Sequence, residues 1–252
     1  MVGPLNDERW PAPMTGPSIC LLGGFEVRLA GGTIAALPTR KAEALLAIIT
    51  LAGGATVSRE RLAELLWGDR GEAQARHSLS QALTSIRTAL GGEDWLLATR
   101  DGVTFALGRV AVDALDFQAR AAAEDFDSLN EAARLYQGPL VDGMALREEG
   151  FNEWLLTERR RLHNIALSSL LRLGQAARGR RDSPTARIAL ERAVTLEPLS
   201  EEANRDLIRF HLDEGRAADA ARQYAACADL LRRELQVEPG PELAALRREA
   251  LA

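Results

Sequence analysis

Apolar residues recur along the chain with two different periods. Between residues 18 and 38 the stretches SICLLG and FEVRLA are strand-like and separated by Gly23-Gly24, which predicts a short antiparallel β element. From Thr39 onward the period is helical. TRKAEALLAIITLAGG (39–54) predicts a helix with Thr39 as N-cap, and VSRERLAELLWG (57–68) predicts a second helix with Ser58 as N-cap.

A third helix and a hairpin follow. ARHSLSQALTSIRTAL (75–90) has helical periodicity and ends before Gly91-Gly92. DWLLATRDGVTFAL (94–107) predicts a β-hairpin, because Asp-Gly at its centre favours a tight turn. The order of sheet, three helices and hairpin is that of a winged helix with an N-terminal sheet.

Beyond residue 110 the pattern is helical almost throughout. Predicted helices cover 114–124, 127–137, 151–178, 184–196, 200–213, 216–235 and 241–251. Gly-Arg recurs 36 residues apart and Glu-Pro 41 apart, which suggests pairs of helices stacked as in TPR repeats. We therefore predict a mainly α protein with a small β component, organised as a disordered tail (1–17), a winged helix (18–110) and an all-α TPR-like domain (111–252).

Composition and charge restrict the function classes. The net charge is −5, which excludes a globally basic nucleic-acid binder, but residues 1–110 carry 11 basic and 11 acidic side chains and 111–252 carry 20 and 25. We therefore expect any polyanionic partner to bind residues 1–110. The longest apolar run, ALLAIITLA (44–52), is shorter than the roughly 20 residues of a membrane span, and the N-terminus lacks the pattern of a signal peptide. We expect a cytoplasmic protein without membrane contact.

No catalytic signature is present in the sequence. Motifs for a phosphate-binding loop, a zinc protease or a serine hydrolase do not occur, and His77, His163 and His211 have no metal-ligand spacing. We predict no enzyme activity, no cofactor and no metal site.

The helix 75–90 has two distinct sides. At about 100° per residue, an apolar stripe forms around Leu79. Its members are Ala75, Leu79, Ala82, Leu83, Ile86 and Leu90. The opposite side holds short hydrogen-bonding side chains, and no acid occurs from Gln74 to Gly92. A solvated helix usually mixes acids with bases on its outer side, so this pattern favours contact with base edges and phosphates of DNA as strongly as mere solvation.

Longer stretches carry a family resemblance. LPTRKAEALLAIITLAGGATVSRERLAELLWGD followed by ARHSLSQALTSIRTALG resembles the OmpR-like winged-helix domain of the SARP-type bacterial transcriptional activators. FNEWLLTERRRL and TLEPLSEEANRDLIRFHLDEGRAADAARQYAACADLLRRELQVEPGPEL resemble the bacterial transcriptional activator domain (BTAD) that follows it. The resemblance covers roughly residues 18 to 252.

The resemblance implies a sequence-specific transcription activator. Its recognition helix would lie in the major groove at promoter direct repeats, and its helical domain would contact a second copy, as a homodimer, or RNA polymerase. By this resemblance Arg76, Gln81, Thr84 and Arg87 belong to the recognition helix and Arg100 to the wing.

The candidate contacts fall into three groups by side-chain chemistry. The candidate phosphate contacts are Arg40, Lys41, Arg59, Arg76, Arg87 and Arg100. The candidate readers of base edges are His77, Gln81 and Thr84. Further hydroxyl groups on or beside the same side are Ser80, Ser85 and Thr88.

A second hypothesis is a TPR-like interaction or ligand-sensing scaffold with weak or no DNA binding. Ser80, Ser85 and Thr88 stand where relatives often carry basic residues, and residues 1–110 have no net charge. Both observations leave this alternative open.

Overall fold

A computed structural model describes residues 16–92 and 94–251, and in that part of the chain it contains ten helices and six strands. Most of the predicted N-terminal tail (1–17) lies outside the described residues. The chain divides into two compact units. The first comprises residues up to Ala119 together with Arg134–Leu162, and the second comprises Arg120–Ala133 and the residues from His163 onward. The domain boundary at residue 110 stays a prediction.

The first unit begins with a three-stranded sheet. Strands β1 (Ser18–Cys20) and β2 (Glu26–Arg28) pair antiparallel, as the pattern of residues 18–38 predicts. A later strand, β6 (Ala111–Val112), pairs parallel with β1 on its other side. The sequence did not predict β6, because two residues are too short to show an alternating pattern.

Three helices and a hairpin follow in the predicted order. Thr39 Oγ1 accepts from the N–H of Ala42 at the start of the first helix, and Ser58 Oγ accepts from that of Arg61 at the start of the second, so both predicted N-caps are confirmed. The hairpin forms a second antiparallel sheet with a short strand that precedes the second helix. These elements are α1 (Arg40–Leu51), β3 (Val57–Ser58), α2 (Arg59–Trp67), α3 (Glu72–Ala89), β4 (Leu96–Ala98) and β5 (Gly102–Phe105).

The rest of the described chain is helical. Its helices are α4 (Asp113–Ala122), α5 (Phe126–Leu135), α6 (Glu149–Gly179), α7 (Ser183–Leu196), α8 (Glu201–Asp213), α9 (Ala217–Leu235) and α10 (Pro241–Ala250). They correspond one to one with the predicted helices, and their ends differ by at most two residues. The prediction of a mainly α protein with a small β component is confirmed.

In the second unit, apolar faces of successive helices pack together. Leu190 of α7 is fully buried in a cluster with Leu207 and Phe210 of α8. A Cβ added to Gly174 of α6 would lie 2.6 Å from Cδ2 of Leu190, so glycine permits the close approach of these helices. Helices α8, α9 and α10 share a second cluster, which includes the buried Cys227.

One buried carboxylate, at the start of α4, connects this helix to the chain that follows β1. The side chain of Asp113 accepts from the backbone N–H groups of Leu21 (2.8 Å), Leu22 (2.9 Å) and Ala114 (2.6 Å). Burial raises the pKa of Asp113 to about 7, although these three donors oppose the rise. Asp113 was not singled out in the sequence, because two of its three partners are backbone groups more than 90 residues away.

The raised pKa of Asp113 predicts a pH dependence of stability. The folded state holds this proton more tightly than the unfolded chain, whose value is near 3.8. The contribution of Asp113 to the free energy of unfolding is therefore fully present below about pH 4 and is lost as the pH rises through about 7. Asp113→Asn has no proton to lose at this position.

Urea unfolding of both proteins from pH 5 to pH 8 tests this dependence. The difference in unfolding free energy, wild type minus Asp113→Asn, should fall with rising pH, by at most about 1.4 kcal/mol per pH unit. A difference that grows with pH would show instead that the three N–H groups hold Asp113 as an ion.

Candidate nucleic-acid interface

Helix α3 is longer than its apolar pattern predicts. It begins after Gly71 rather than at Ala75, because its first turn contributes no buried side chain and so leaves no trace in the periodicity. Glu72 in this turn is favourable at the positive end of the helix dipole. The helix ends as predicted: Gly91 and Gly92 have φ of 69° and 81°, which glycine adopts without strain.

The inner side of α3 is the predicted apolar stripe. Ala75, Leu79, Leu83 and Ile86 are buried, and the stripe packs against α1 and α2. Leu90 is also buried, and Ala82 is half-buried. The prediction of a buried stripe is confirmed, and it determines which side of the helix faces outward.

The outer side of α3 is exposed over its whole length. Its exposed residues are Gln74, Arg76, His77, Ser80, Gln81, Thr84, Arg87 and Thr88. Ser85 is half-buried. The structure thus brings most of the sequence-predicted contacts onto a single helical surface, which we call the α3 outer face.

Three hydroxyl groups on the α3 outer face form a regular series. Ser80 Oγ donates to the carbonyl of Arg76 (3.0 Å), Thr84 Oγ1 to that of Ser80 (3.0 Å), and Thr88 Oγ1 to that of Thr84 (3.1 Å). Each hydroxyl donates its proton to a backbone carbonyl one turn earlier, and the lone pairs of its oxygen remain available to outside partners. The series therefore presents hydrogen-bond acceptors to solvent.

Arg76, the most exposed cation at the start of α3, has acidic neighbours. Its Nη2 lies 2.5 Å from Glu72 Oε1 and 3.8 Å from Glu60 Oε1. Both acids lie outside the acid-free stretch 74–92, so the composition of that stretch does not predict these ion pairs. An anion at Arg76 must compete with these carboxylates, although such exposed pairs are weak.

Two other candidate arginines are engaged with the hairpin. Arg87 Nη2 donates to the carbonyl of Leu96 in β4 (3.2 Å), and Arg59 Nε donates to the carbonyl of Thr99 in the turn (2.8 Å). Each guanidinium has five N–H donors, so one bond leaves others available. Both arginines position the hairpin against the helices, a role that no sequence pattern indicates.

The hairpin turn itself carries an exposed cation. Thr99 Oγ1 accepts from the backbone N–H groups of Asp101 (3.3 Å) and Gly102 (3.2 Å), which holds the turn closed. Arg100 sits at the tip, is exposed, and has no ion pair among the described residues. It is therefore available to a phosphate.

Lys41 and Arg40, at the start of α1, differ from each other. Lys41 Nζ lies 2.5 Å from Glu148 Oε1, whose side chain is 10% exposed, and 5.4 Å from the centre of the Trp67 ring. Arg40 is more exposed and pairs with Glu43 at 3.2 Å. Lys41 is thus committed to a partly buried ion pair within the first unit.

The described residues form neither a metal-binding cluster nor a membrane-spanning helix. In residues 16–92 and 94–251 there is no group of three or more His, Cys, Asp or Glu placed to hold a metal ion. Over the same ranges, no helix is both long and apolar enough to cross a bilayer.

Comparison with known proteins identifies the family. Residues 103–251 match the family model for the bacterial transcriptional activator domain. The chain belongs to this family. The predicted resemblance to SARP-type activators is confirmed, and the family consists of transcriptional regulators rather than enzymes, as predicted.

Relatives extend the match over the first unit. The transcriptional regulatory protein EmbR of Mycobacterium tuberculosis is 26% identical over 251 residues, which cover 92% of this chain and 62% of EmbR. The regulatory protein AfsR of Streptomyces griseus is 28% identical over 227 residues, or 82% of this chain and 22% of AfsR. The chain thus spans about three fifths of the length of EmbR.

A solved structure supports the fold. Mycobacterium tuberculosis EmbR in complex with a low-affinity phosphopeptide superposes with a TM-score of 0.73 at 23% identity, covering 93% of this chain and 65% of that one. The predicted architecture, a winged helix followed by a helical domain, is confirmed.

The two sides of α3 should respond differently to truncation. Leu79→Ala should lower the free energy of unfolding by about 2–5 kcal/mol, because it leaves a cavity at a fully buried position. Thr84→Ala, on the α3 outer face, should change it by less than about 0.5 kcal/mol. Urea unfolding monitored by circular dichroism measures both, and equal losses would contradict the assignment of the sides.

Proposed function

We propose that this BTAD-family chain regulates transcription by binding promoter DNA through the α3 outer face. The observation that carries the proposal is an exposed helical surface that is free of acids from residue 74 to 92 and rich in short hydrogen-bonding side chains. An α-helix fits the major groove, where such side chains reach base edges. The family and the regulatory roles of the relatives support the same function.

In this proposal the contacts divide by chemistry. Arg76 and Arg100 contact phosphates, with Arg40 at the start of α1 and the spare donors of Arg59 and Arg87 in support. His77, Gln81 and Thr84 read base edges. Because Lys41 is paired with Glu148, we leave it out of the phosphate contacts.

The hydroxyl series adds a preference in the bases that are read. Ser80, Thr84 and Thr88 present acceptors, and in the major groove the amino groups of adenine and cytosine are the donors. Ser85 is half-buried and adds at most a contact at the rim. We infer an operator with adenine or cytosine amino groups facing these hydroxyls.

The remaining parts of the proposal concern assembly. Bulk charge is low, since residues 1–110 have no net charge, so a single copy should bind weakly. Two copies on a direct repeat raise the affinity through a high effective concentration. We infer that the helical domain either forms the homodimer or contacts RNA polymerase. We also infer that the protein is an activator and that it acts in the cytoplasm.

A second candidate function is a protein-interaction or ligand-sensing scaffold with weak DNA binding. The ion pairs of Arg76 with Glu72 and Glu60 favour it, because they partly neutralise the main cation of the α3 outer face. Recovery of genomic fragments by the purified protein separates the two candidates. Enriched fragments with a common site support the DNA reader, and no enrichment supports the scaffold.

Salt dependence should identify the phosphate contacts. For a recovered fragment, affinity should fall steeply as salt rises, and Arg76→Ala or Arg100→Ala should each reduce the slope of log K against log salt by about 1. Arg209→Ala in α8, which removes an arginine paired with Glu249, is the matched control and should leave the slope unchanged. Unchanged slopes in all three variants would contradict the assignment.

Releasing Arg76 from its neighbour should strengthen binding. Glu72→Gln removes the carboxylate 2.5 Å from Arg76 and keeps the size of the side chain. We expect DNA affinity to rise by up to about fivefold at low salt, equivalent to the roughly 1 kcal/mol of an exposed pair. Fluorescence anisotropy with a labelled fragment measures this rise, and weaker binding by Glu72→Gln would count against a phosphate at Arg76.

A further inference from the structure

A polar cleft in the second unit is not used by the proposed DNA contacts. It has a volume of about 510 Å³ and is lined by side chains of α7, α8 and the start of α9. Its charged and titratable lining residues are Arg187, Glu191, His211, Arg216, Asp219 and Arg222. This volume lies within the usual range of small-molecule sites.

Two nitrogen atoms at the cleft lack hydrogen-bond partners. The residue His211 is 8% exposed, and its Nδ1 is buried without a partner among the residues that the structure describes. Arg216 Nε is likewise buried and has no hydrogen-bond partner among these residues. A buried polar atom left unpaired is energetically unfavourable, and both of these atoms belong to side chains that line the cleft, so the cleft favours a hydrogen-bonding partner.

The charges of the cleft leave one cation unmatched. Glu191 pairs with Arg187 at 3.5 Å, and Asp219 pairs with Arg222. Arg216 has no acidic partner in the described part of the chain, and its guanidinium lies 5.1 Å from the centre of the Phe210 ring. An anion would match this charge.

The start of α9 adds to the positive potential. Arg216 is the N-cap residue of this 19-residue helix and makes no side-chain capping bond. The N-terminal N–H groups and the helix dipole therefore add to the attraction that Arg216 exerts on an anion.

We propose that this cleft binds a small molecule through a carboxylate or phosphate group, with Arg216 as the main cation and His211 as a second contact. A small ligand fits better than a nucleic acid, because Glu191 and Asp219 at the cleft repel an extended polyanion. The site does not depend on the proposed DNA binding, since none of its residues belongs to the α3 outer face.

Nuclear magnetic resonance of the His211 ring tests the site directly. The charged groups around the ring are Glu191 from α7 and Arg216, Asp219 and Arg222 from the start of α9. Burial, and after it Arg216, holds the pKa of His211 below its usual value. A bound anion stabilises the imidazolium, so inorganic phosphate should raise this pKa.

The experiment titrates the full chain with inorganic phosphate or acetate at constant ionic strength, with His211→Asn to assign the signal. Saturable shifts of the His211 signal are expected in the wild type and in Arg209→Gln, and they should disappear in Arg216→Gln. A lower half-saturating concentration for phosphate than for acetate indicates a phosphate ligand, and the reverse order indicates a carboxylate. Non-saturable shifts, or equal shifts in Arg216→Gln, would overturn the proposal.

A second variant keeps the test decisive if Arg216→Gln is poorly folded. Asp219→Asn removes a carboxylate that repels the anion and also releases Arg222. Phosphate should then bind about two- to fivefold more tightly than to the wild type. Unchanged or weaker binding by Asp219→Asn would contradict an oxyanion at this cleft.

Discussion

The burial of one apolar stripe on α3 is the constraint on which the proposed function depends. Leu79, Leu83 and Ile86 pack against α1 and α2, and this packing fixes the rotation of the helix about its own axis. A helix turned by 100° would bury hydroxyl and guanidinium groups that have no partners inside, at a cost of several kcal/mol. Which side of α3 faces outward is therefore a consequence of hydrophobic packing, and the polar residues determine only what that side can bind.

Arginines in this protein serve the fold as much as they serve a ligand. Arg59 and Arg87 hold backbone carbonyls of the hairpin, and Arg76 pairs with two acids. The hydroxyl series gives the α3 outer face acceptors in place of further cations. In the proposed function, recognition by such a surface depends on hydrogen-bond geometry and on a second copy more than on bulk charge. The cleft beside α9 is the reverse case: among the described residues, Arg216 has no acidic partner and His211 Nδ1 makes no hydrogen bond.

Local sequence patterns predicted most of the fold. Contacts between residues far apart in the sequence could not be predicted from it. The caps Thr39 and Ser58 and the periodicity of α3 are visible because each depends on residues within one or two turns. Strand β6, the carboxylate of Asp113 and the pair of Lys41 with Glu148 join residues about 90 or more apart, and a single sequence records no such pairing. For the same reason the outer residues of α3 were predictable as a group, whereas Glu60 beside Arg76, from the preceding helix, was not.

Photo-crosslinking tests the central claim most directly, that the α3 outer face touches DNA. A benzophenone amino acid placed at Gln81, in the middle of that face, should crosslink to the genomic fragments that the protein recovers. The same group at Leu156, a residue on α6 that is 60% exposed, serves as the comparison and should not crosslink. Crosslinking at Gln81 alone is the result that the account predicts. DNA that binds without crosslinking at Gln81, or that crosslinks equally at Leu156, would contradict it.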